Sequence, residues 1–316
     1  MHVLTHHSTI VVSGTKLAQE LGTTRSEVWR LIQRLRRLGV KVEGHPATGY
    51  RVQKDPDLLL PDSLAPLLPR TIFEGRLHHY YKVGSTNDTA MQAAADGAPE
   101  GSVFLAEEQT GGRGRGGHSW HSERSTGIYC SVLLRPALAP ADVLILSLAA
   151  GLAVHAAVRH VDSTAQPDLK WPNDLLLQDK KFCGILTEMS AEATRVRYVV
   201  VGIGINVNQD HFPPELQRQA TSLRLATGTE WPRVELTAAL LKSLHHEYRN
   251  LLGGGRDSIL RRFSDASSSV LGAKVHVDEN GGFAGVTEGL DSRGFLQVRT
   301  EDGLRTVLSG SMRRLE

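Results

Sequence analysis

Residues 109–117 read Gln-Thr-Gly-Gly-Arg-Gly-Arg-Gly-Gly, and apolar runs that look like strands flank them on both sides. Ser-Val-Phe-Leu-Ala-Glu (102–107) comes before, and Gly-Ile-Tyr-Cys-Ser-Val-Leu-Leu (127–134) comes after. Glycines lack side chains, so this backbone can approach a ligand closely with its N–H groups turned inward. Arg113 and Arg115 alternate with the glycines, and guanidinium groups hold phosphate or carboxylate through paired hydrogen bonds. The stretch therefore reads as a loop that closes over an anion. Two other readings compete with it. An RGG-type RNA-binding segment occurs as repeats in low-complexity tracts, whereas this is one copy between apolar strands. Gly112, Gly114 and Gly117 also fit a dinucleotide fingerprint, but the Gly-His-Ser-Trp-His-Ser that follows opens no helix.

Other motifs accompany the loop. Gly84-Ser-Thr-Asn87 precedes it, and Lys170-Trp-Pro-Asn-Asp174, Lys181-Phe-Cys-Gly-Ile-Leu186 and Gly202-Ile-Gly-Ile-Asn206 follow in order. Together they resemble the biotin protein ligase family over nearly the whole chain. The N-terminal pattern described next is similar to the bifunctional type, which combines a ligase with a biotin operon repressor. The resemblance implies an α+β protein. A winged helix-turn-helix would cover residues 1–54, a linker 55–69, and a mixed-sheet α/β ligase domain of the biotin/lipoate type 70–267. An SH3-like β-barrel would cover 268–316.

The residues support the N-terminal part on their own. Thr15–Leu21 reads as a short helix broken by Gly22, and Thr24-Arg-Ser-Glu27 is a capping box for a second. Val28, Leu31, Ile32 and Leu35 recur at helical spacing, with Leu38 closing the stripe and Gly39 stopping the helix. Val40–Glu43 and Gly49–Val52 then read as a small β-wing. Residues 1–54 carry nine Lys or Arg against three Glu, a net of +6 in a chain whose total is +2. Such asymmetry points to a polyanionic partner. Thr24–Leu38 is the candidate recognition helix for operator DNA, with Arg25, Ser26, Arg30 and Arg34 as DNA-binding candidates. A surface helix with solvated arginines is the alternative. Residues 1–13 should supply a first helix, yet they are β-branched and histidine-rich.

Beyond the linker, Leu77–Val83 reads as a strand leading into a helix capped by Ser85 or Asn87 and ending near Ala95. The run from about Ala141 to Arg159 is apolar on nearly every face and reads as a buried helix; it contains Ser147 and His155, so a membrane span is not expected. Residues 208–225, with Pro213 and Pro214, read as a mobile loop. From Val270 the hydrophobic period becomes two, giving strands near 273–277, 284–287, 295–300 and 305–308. Cys130 and Cys183 sit in apolar contexts and read as reduced thiols of a cytoplasmic protein.

The resemblance also implies a reaction in two steps. Biotin carboxylate attacks the α-phosphate of ATP to give biotinyl-5′-adenylate, and a lysine of a biotin carboxyl carrier protein of acetyl-CoA carboxylase then takes the biotin. Both steps gather negative charge, so cations should carry most of the catalysis. Lys181, Arg115 and Arg113 are the catalytic candidates. Ser85, Thr86, Asn87 and Gln109, with Arg113, Gly114, Arg115 and Lys181, are candidates for biotin, because a neutral ureido ring needs neutral donors and acceptors. Gly112, Arg115, Trp120, Lys170, Asn173, Asp174 and Asn206 are candidates for ATP. Asp174 is also the candidate for Mg²⁺, although an ion pair with Lys170 or Lys181 explains it as well. The family further implies a homodimer. Two alternatives are weighed. In a lipoate ligase, the dithiolane ring would leave the Ser85–Asn87 and Gln109 groups unsatisfied. A non-catalytic biotin-sensing repressor would have no use for intact Arg113, Arg115 and Lys181.

Overall fold

A computed structural model describes residues 11–37, 40–45, 48–52, 57–279 and 281–315. They belong to two compact units, residues 1–58 and 59–316.

In the first unit, α1 (Gly14–Glu20) starts at Ser13, whose hydroxyl accepts the Lys16 N–H at 3.1 Å. The capping Thr24 accepts the Glu27 N–H at 3.2 Å, and α2 runs Arg25–Arg37. Strands β1 (Val42–His45) and β2 (Gly49–Val52) form an antiparallel wing. Val28 and Ile32 pack inward with Leu17, Val42 and Val52. Leu31 departs from the expected stripe and stands exposed, because one residue is a 100° turn on a helix and carries it off the Ile32 face. Arg25, Ser26, Arg30 and Arg34 are all exposed, with Arg30 paired to Glu27 at 3.2 Å. Leu38, and residues 1–10 of the expected first helix, lie outside the described residues.

The second unit has a short α3 (Pro61–Leu64) and a seven-stranded mixed sheet. Its strands are β3 (Leu77–Tyr80), β4 (Val103–Ala106), β5 (Gly127–Leu134), β6 (Asp168–Lys170), β7 (Asp174–Leu177), β8 (Lys180–Ala191) and β9 (Val196–Asn206). The order is β3-β4-β5-β9-β8-β7-β6, with only the β3–β4 pair parallel. Helices α5 (Leu144–Val161), α7 (Arg233–Leu252) and α8 (Arg256–Asp265) form the main core with one face. By length and composition α5 could cross a membrane, but most of it is buried inside this unit. Its apolar residues all round match a helix covered on every side.

The other face receives α4 (Thr86–Ala95), where Ala90 and Ala94 pack on Phe104, Leu133 and Val200. Strand alternation decides what else lies there. Register sets Tyr129, Gly204 and Gly184 in one row, then Ser131, Gly202 and Leu186, then Leu133, Val200 and Glu188. The first two rows place glycines on the middle strand, so the α4 face carries a trough. Residues 208–222 are anchored to its end rather than free. The Lys181 N–H donates to the Gln219 carbonyl, the Thr221 N–H donates to the Lys181 carbonyl, and α6 (Leu223–Thr227) follows.

The C-terminal strands β10 (Leu271–Asp278), β11 (Phe283–Leu290), β12 (Leu296–Thr300), β13 (Gly303–Val307) and β14 (Ser311–Arg314) make an antiparallel sheet in the order β13-β12-β11-β10-β14. The end strands β13 and β14 share no ladder among the described residues, so a closed barrel is not what this sheet displays. Trp171 Nε1 donates to the Gly294 carbonyl at 2.9 Å and ties this sheet to the central one.

Candidate active site

The trough on the α4 face is the floor of a cavity of about 460 Å³, counted out to its mouth. One end is neutral and polar. Ser85 caps α4, with its hydroxyl accepting the Asp88 N–H at 3.4 Å. Gln109 Oε1 accepts from the Thr86 N–H at 2.8 Å and from the Thr86 hydroxyl at 3.1 Å, while Gln109 Nε2 donates to Ser122 Oγ at 2.9 Å. Ser131 Oγ lies 2.8 Å from Thr86 Oγ1 and 2.6 Å from Asn87 Oδ1. Asn87 Nδ2 donates to the Leu186 carbonyl at 3.2 Å and to Glu188 Oε2 at 2.8 Å. Ser85, Thr86, Asn87 and Ser131 are buried, so an acceptor lone pair left over among them is costly unless a ligand takes it.

The other end is cationic. Lys181 Nζ stands 2.6 Å from Asp174 Oδ1 and 5.5 Å from the centroid of the Trp120 ring, within cation–π reach. Trp120 lies on the sheet over Gly204 and Gly184, and its buried Nε1 has no hydrogen-bond partner among the described residues. A Cβ on Gly204 would stand 2.5 Å from Trp120 Cε2, so Gly204→Ala should push the indole off the floor. The expected results are a shifted tryptophan emission and about 1–3 kcal/mol of lost stability in urea denaturation, the usual scale for overpacking. Emission and unfolding midpoint unchanged from wild type would refute this seating.

The glycine loop folds back as a small hairpin over the mouth. Gly114 N–H donates to the His118 carbonyl and Trp120 N–H to the Gly112 carbonyl, at 2.7 and 2.8 Å. Both arginines are engaged on either side of the cavity. Arg113 reaches the carboxylates of Asp88 and Glu188, the latter at 2.9 Å. Arg115 donates to Asn173 Oδ1 at 3.1 Å and to the Ser309 carbonyl at 2.7 Å, so the C-terminal sheet touches the loop directly. Burial lowers the Arg115 pKa, and the nearby Asp174 charge partly opposes that.

Of the residues singled out from sequence, Ser85, Thr86, Asn87, Gln109, Arg113 and Gly114 line the cavity, as do Arg115, Trp120, Asn173 and Lys181. Gly112 is buried one residue behind the lining, and Asp174 stands behind Lys181. Lys170 ends β6 opposite Asp174 in the ladder and does not line the cavity. Asn206 is buried outside it, donating to the Thr221 carbonyl at 3.1 Å, and so holds the 208–222 segment. Among the described residues no group of three or more His, Cys, Asp or Glu could hold a metal ion. Ser131 and Glu188 carry no local mark in the sequence: one is a lone hydroxyl in an apolar strand, the other one glutamate among many. Cys130 lines the cavity, but burial pushes its thiol up to about 12, and Cys183 is raised by burial too, so neither is a nucleophile at neutral pH.

The chain is similar to known proteins along most of its length. Residues 81–206 match the family model for the biotin/lipoate A/B protein ligase family, residues 1–51 an HTH domain, and residues 270–313 the biotin protein ligase C-terminal domain. The bifunctional ligase/repressor BirA of Bacillus spizizenii is 37% identical over 306 residues, covering 95% of this chain and 93% of the relative. The biotin–[acetyl-CoA-carboxylase] ligase of Mycobacterium tuberculosis is 37% identical over 234 residues, 72% of this chain and 84% of that one. The biotin protein ligase of Aquifex aeolicus, solved with biotin and ATP, superposes with a TM-score of 0.67 at 31% identity, covering 76% of this chain and 100% of that one.

Proposed function

The chain belongs to the biotin protein ligase family, and from that premise we propose that it activates biotin with ATP and transfers it to a carrier-protein lysine. Its basic N-terminal unit binds operator DNA as a biotin-responsive repressor. One observation carries the ligase reading. A single cavity joins a neutral hydrogen-bonding end, Thr86–Asn87–Gln109, to a cationic end with an indole face, Lys181–Trp120. The first suits a ureido ring and the second an adenylate; a lipoyl ring would leave the first unsatisfied.

In the first step a biotin carboxylate oxygen bonds to the α-phosphorus of ATP, and the bond to the pyrophosphate oxygen breaks. Lys181, placed between the two anions, offsets charge as they approach and as it grows in the transition state. Arg115 and Arg113 hold the glycine loop over the product. In the second step the amine of the carrier lysine attacks the acyl carbon, the anhydride C–O bond breaks, and AMP leaves as the amine loses a proton. A magnesium ion would neutralise phosphate charge. A single carboxylate at Asp174, beside the cavity, fits an ion held mostly by substrate phosphates.

Exposed Arg25, Ser26, Arg30 and Arg34 would face DNA, and a homodimer would present two such helices to a palindromic site. We place the domain limits at 1–54, 70–267 and 268–316, with 55–69 as the joining segment, whose Leu59, Leu64 and Leu68 already pack in the second unit, and read the C-terminal sheet as an SH3-like barrel left open between β13 and β14. The expected result is pyrophosphate release that requires both biotin and ATP, with biotin then appearing on a carrier lysine. Release that proceeds equally with lipoate, or not at all, would overturn the ligase reading.

A further inference from the structure

Glu188 belongs to none of the roles above, yet it touches both halves of the site. It lies on β8 in the same row as Val200 and Leu133, at the edge of the trough. Its Oε2 accepts from Asn87 Nδ2 at 2.8 Å and from an Arg113 guanidinium nitrogen at 2.9 Å. One carboxylate oxygen thus joins a wall residue of the pocket to the loop that covers it.

The Asn87 amide shows what this contact decides. An amide offers a donor end and an acceptor end, and its orientation follows from its partners. Leu186 O and the Glu188 carboxylate are acceptors only, so they take the NH₂ end. Oδ1 is then turned to Ser131 Oγ and lies on the floor, where a Cβ on Gly202 would meet it at 2.1 Å. A carbonyl oxygen has two lone pairs, and Ser131 takes one. The other is left to accept an N–H from the ligand. Without Glu188 the NH₂ end keeps one weak partner, and the amide is free to turn its donors toward a ligand N–H.

Arg113 has two carboxylate partners, Asp88 and Glu188, and the second joins the loop to the sheet floor. We propose that Glu188 is a positioning residue, fixing the Asn87 amide for recognition of a ligand N–H and holding the Arg113 end of the glycine loop over the product. This rests on the ligase reading above.

The two effects separate by substitution. Glutamine retains a carbonyl acceptor for Asn87 but loses the charge that attracts Arg113; alanine loses both. In the full-length chain, Glu188→Ala should raise KM for biotin about tenfold or more, the scale of a buried hydrogen-bonding group left wrongly paired. It should also release biotinyl-adenylate several-fold faster. Glu188→Gln should return KM to within about threefold of wild type while adenylate release stays fast. A merely structural glutamate would lower stability and activity together, with no such split. KM and release rate of Glu188→Ala within twofold of wild type would overturn the proposal, as would Glu188→Gln matching wild type in release rate. If the alanine variant does not fold, the glutamine variant alone decides, through its release rate. Wild-type protein that releases no pyrophosphate with biotin and ATP would overturn the ligase reading, and this proposal with it.

Discussion

Lys181→Ala is expected to slow biotinyl-adenylate formation by about 10²–10³-fold, the usual cost of removing one aimed charge from a transition state. Biotin affinity should change far less, because the neutral contacts at Thr86, Asn87 and Gln109 remain. The size of the effect follows from how firmly Lys181 is held. Its main chain is hydrogen-bonded to Gln219 and Thr221 on the 208–222 segment. Its ammonium is fixed between Asp174 at 2.6 Å and the Trp120 face. A group held in this way needs little reorganisation when charge develops beside it. Arginine at 181 should not restore the rate, since a planar fork does not replace a compact ammonium in that space. Single-turnover pyrophosphate release, set against equilibrium biotin binding, separates the two quantities. A rate within tenfold of wild type would remove Lys181 from the catalytic role.

The parts of the site that sequence revealed are those carried by local chemistry. Ser85 before a helical run is a cap at any depth, and the structure uses it as one. Glycines between arginines mark close approach and anion contact wherever they fall. Pairing across the sheet has no such local mark. Ser131 sits in Gly127–Leu134, where every residue is buried, so no alternation identified the face on which its hydroxyl meets Asn87. Glu188 and Arg113 are 75 positions apart, and it is the sheet order β4-β5-β9-β8, with the loop folded back over it, that brings them together. Asn206, a nucleotide candidate between Gly204 and Val207, lies outside the cavity lining and donates to the Thr221 carbonyl. The stretch 208–225 reads as a mobile loop from its prolines, yet Ser222 Oγ donates to Gln209 O at 2.7 Å within it, the Lys181 backbone bonds Gln219 and Thr221, and its last residues enter α6. In the C-terminal sheet β14 was missed because Ser-Met-Arg-Arg buries only Met312, too little to show a period of two.

Glu107→Ala is expected to be among the most destabilising single changes in the second unit. Glu107 and Arg233 are each about 1% exposed, and both guanidinium NH groups lie 3.0 Å from Glu107 Oε2. The other carboxylate oxygen accepts the Leu59 N–H at 2.8 Å and meets His79 Nε2 at 3.1 Å. Arg233 also donates to the Gly127 carbonyl at 2.9 Å. The cluster thus fastens the start of the unit, strand β3, the first turn of α7 and both ends of the segment that carries the glycine loop. Removing one partner of such a pair leaves the other charge buried, at a cost of about 3–5 kcal/mol. For a unit of this size that corresponds to a fall in Tm of about 6–20 °C by calorimetry. Glu107→Leu combined with Arg233→Met should recover much of the loss, because both charges then leave the core together. The pH dependence has a definite sign. Burial pushes the Glu107 carboxyl up, but the His79 hydrogen bond, the Arg233 charge and the Leu59 N–H together hold it below the usual 4.5. A carboxyl lowered in the folded state contributes stability above its unfolded value and loses it as pH falls through the lower native one. Wild-type Tm should therefore fall on acidification below about pH 4.3, and the Glu107→Ala protein should show less of that fall. A variant melting within about 2 °C of wild type at neutral pH, below the expected range, would mean that the buried pair contributes little to this fold.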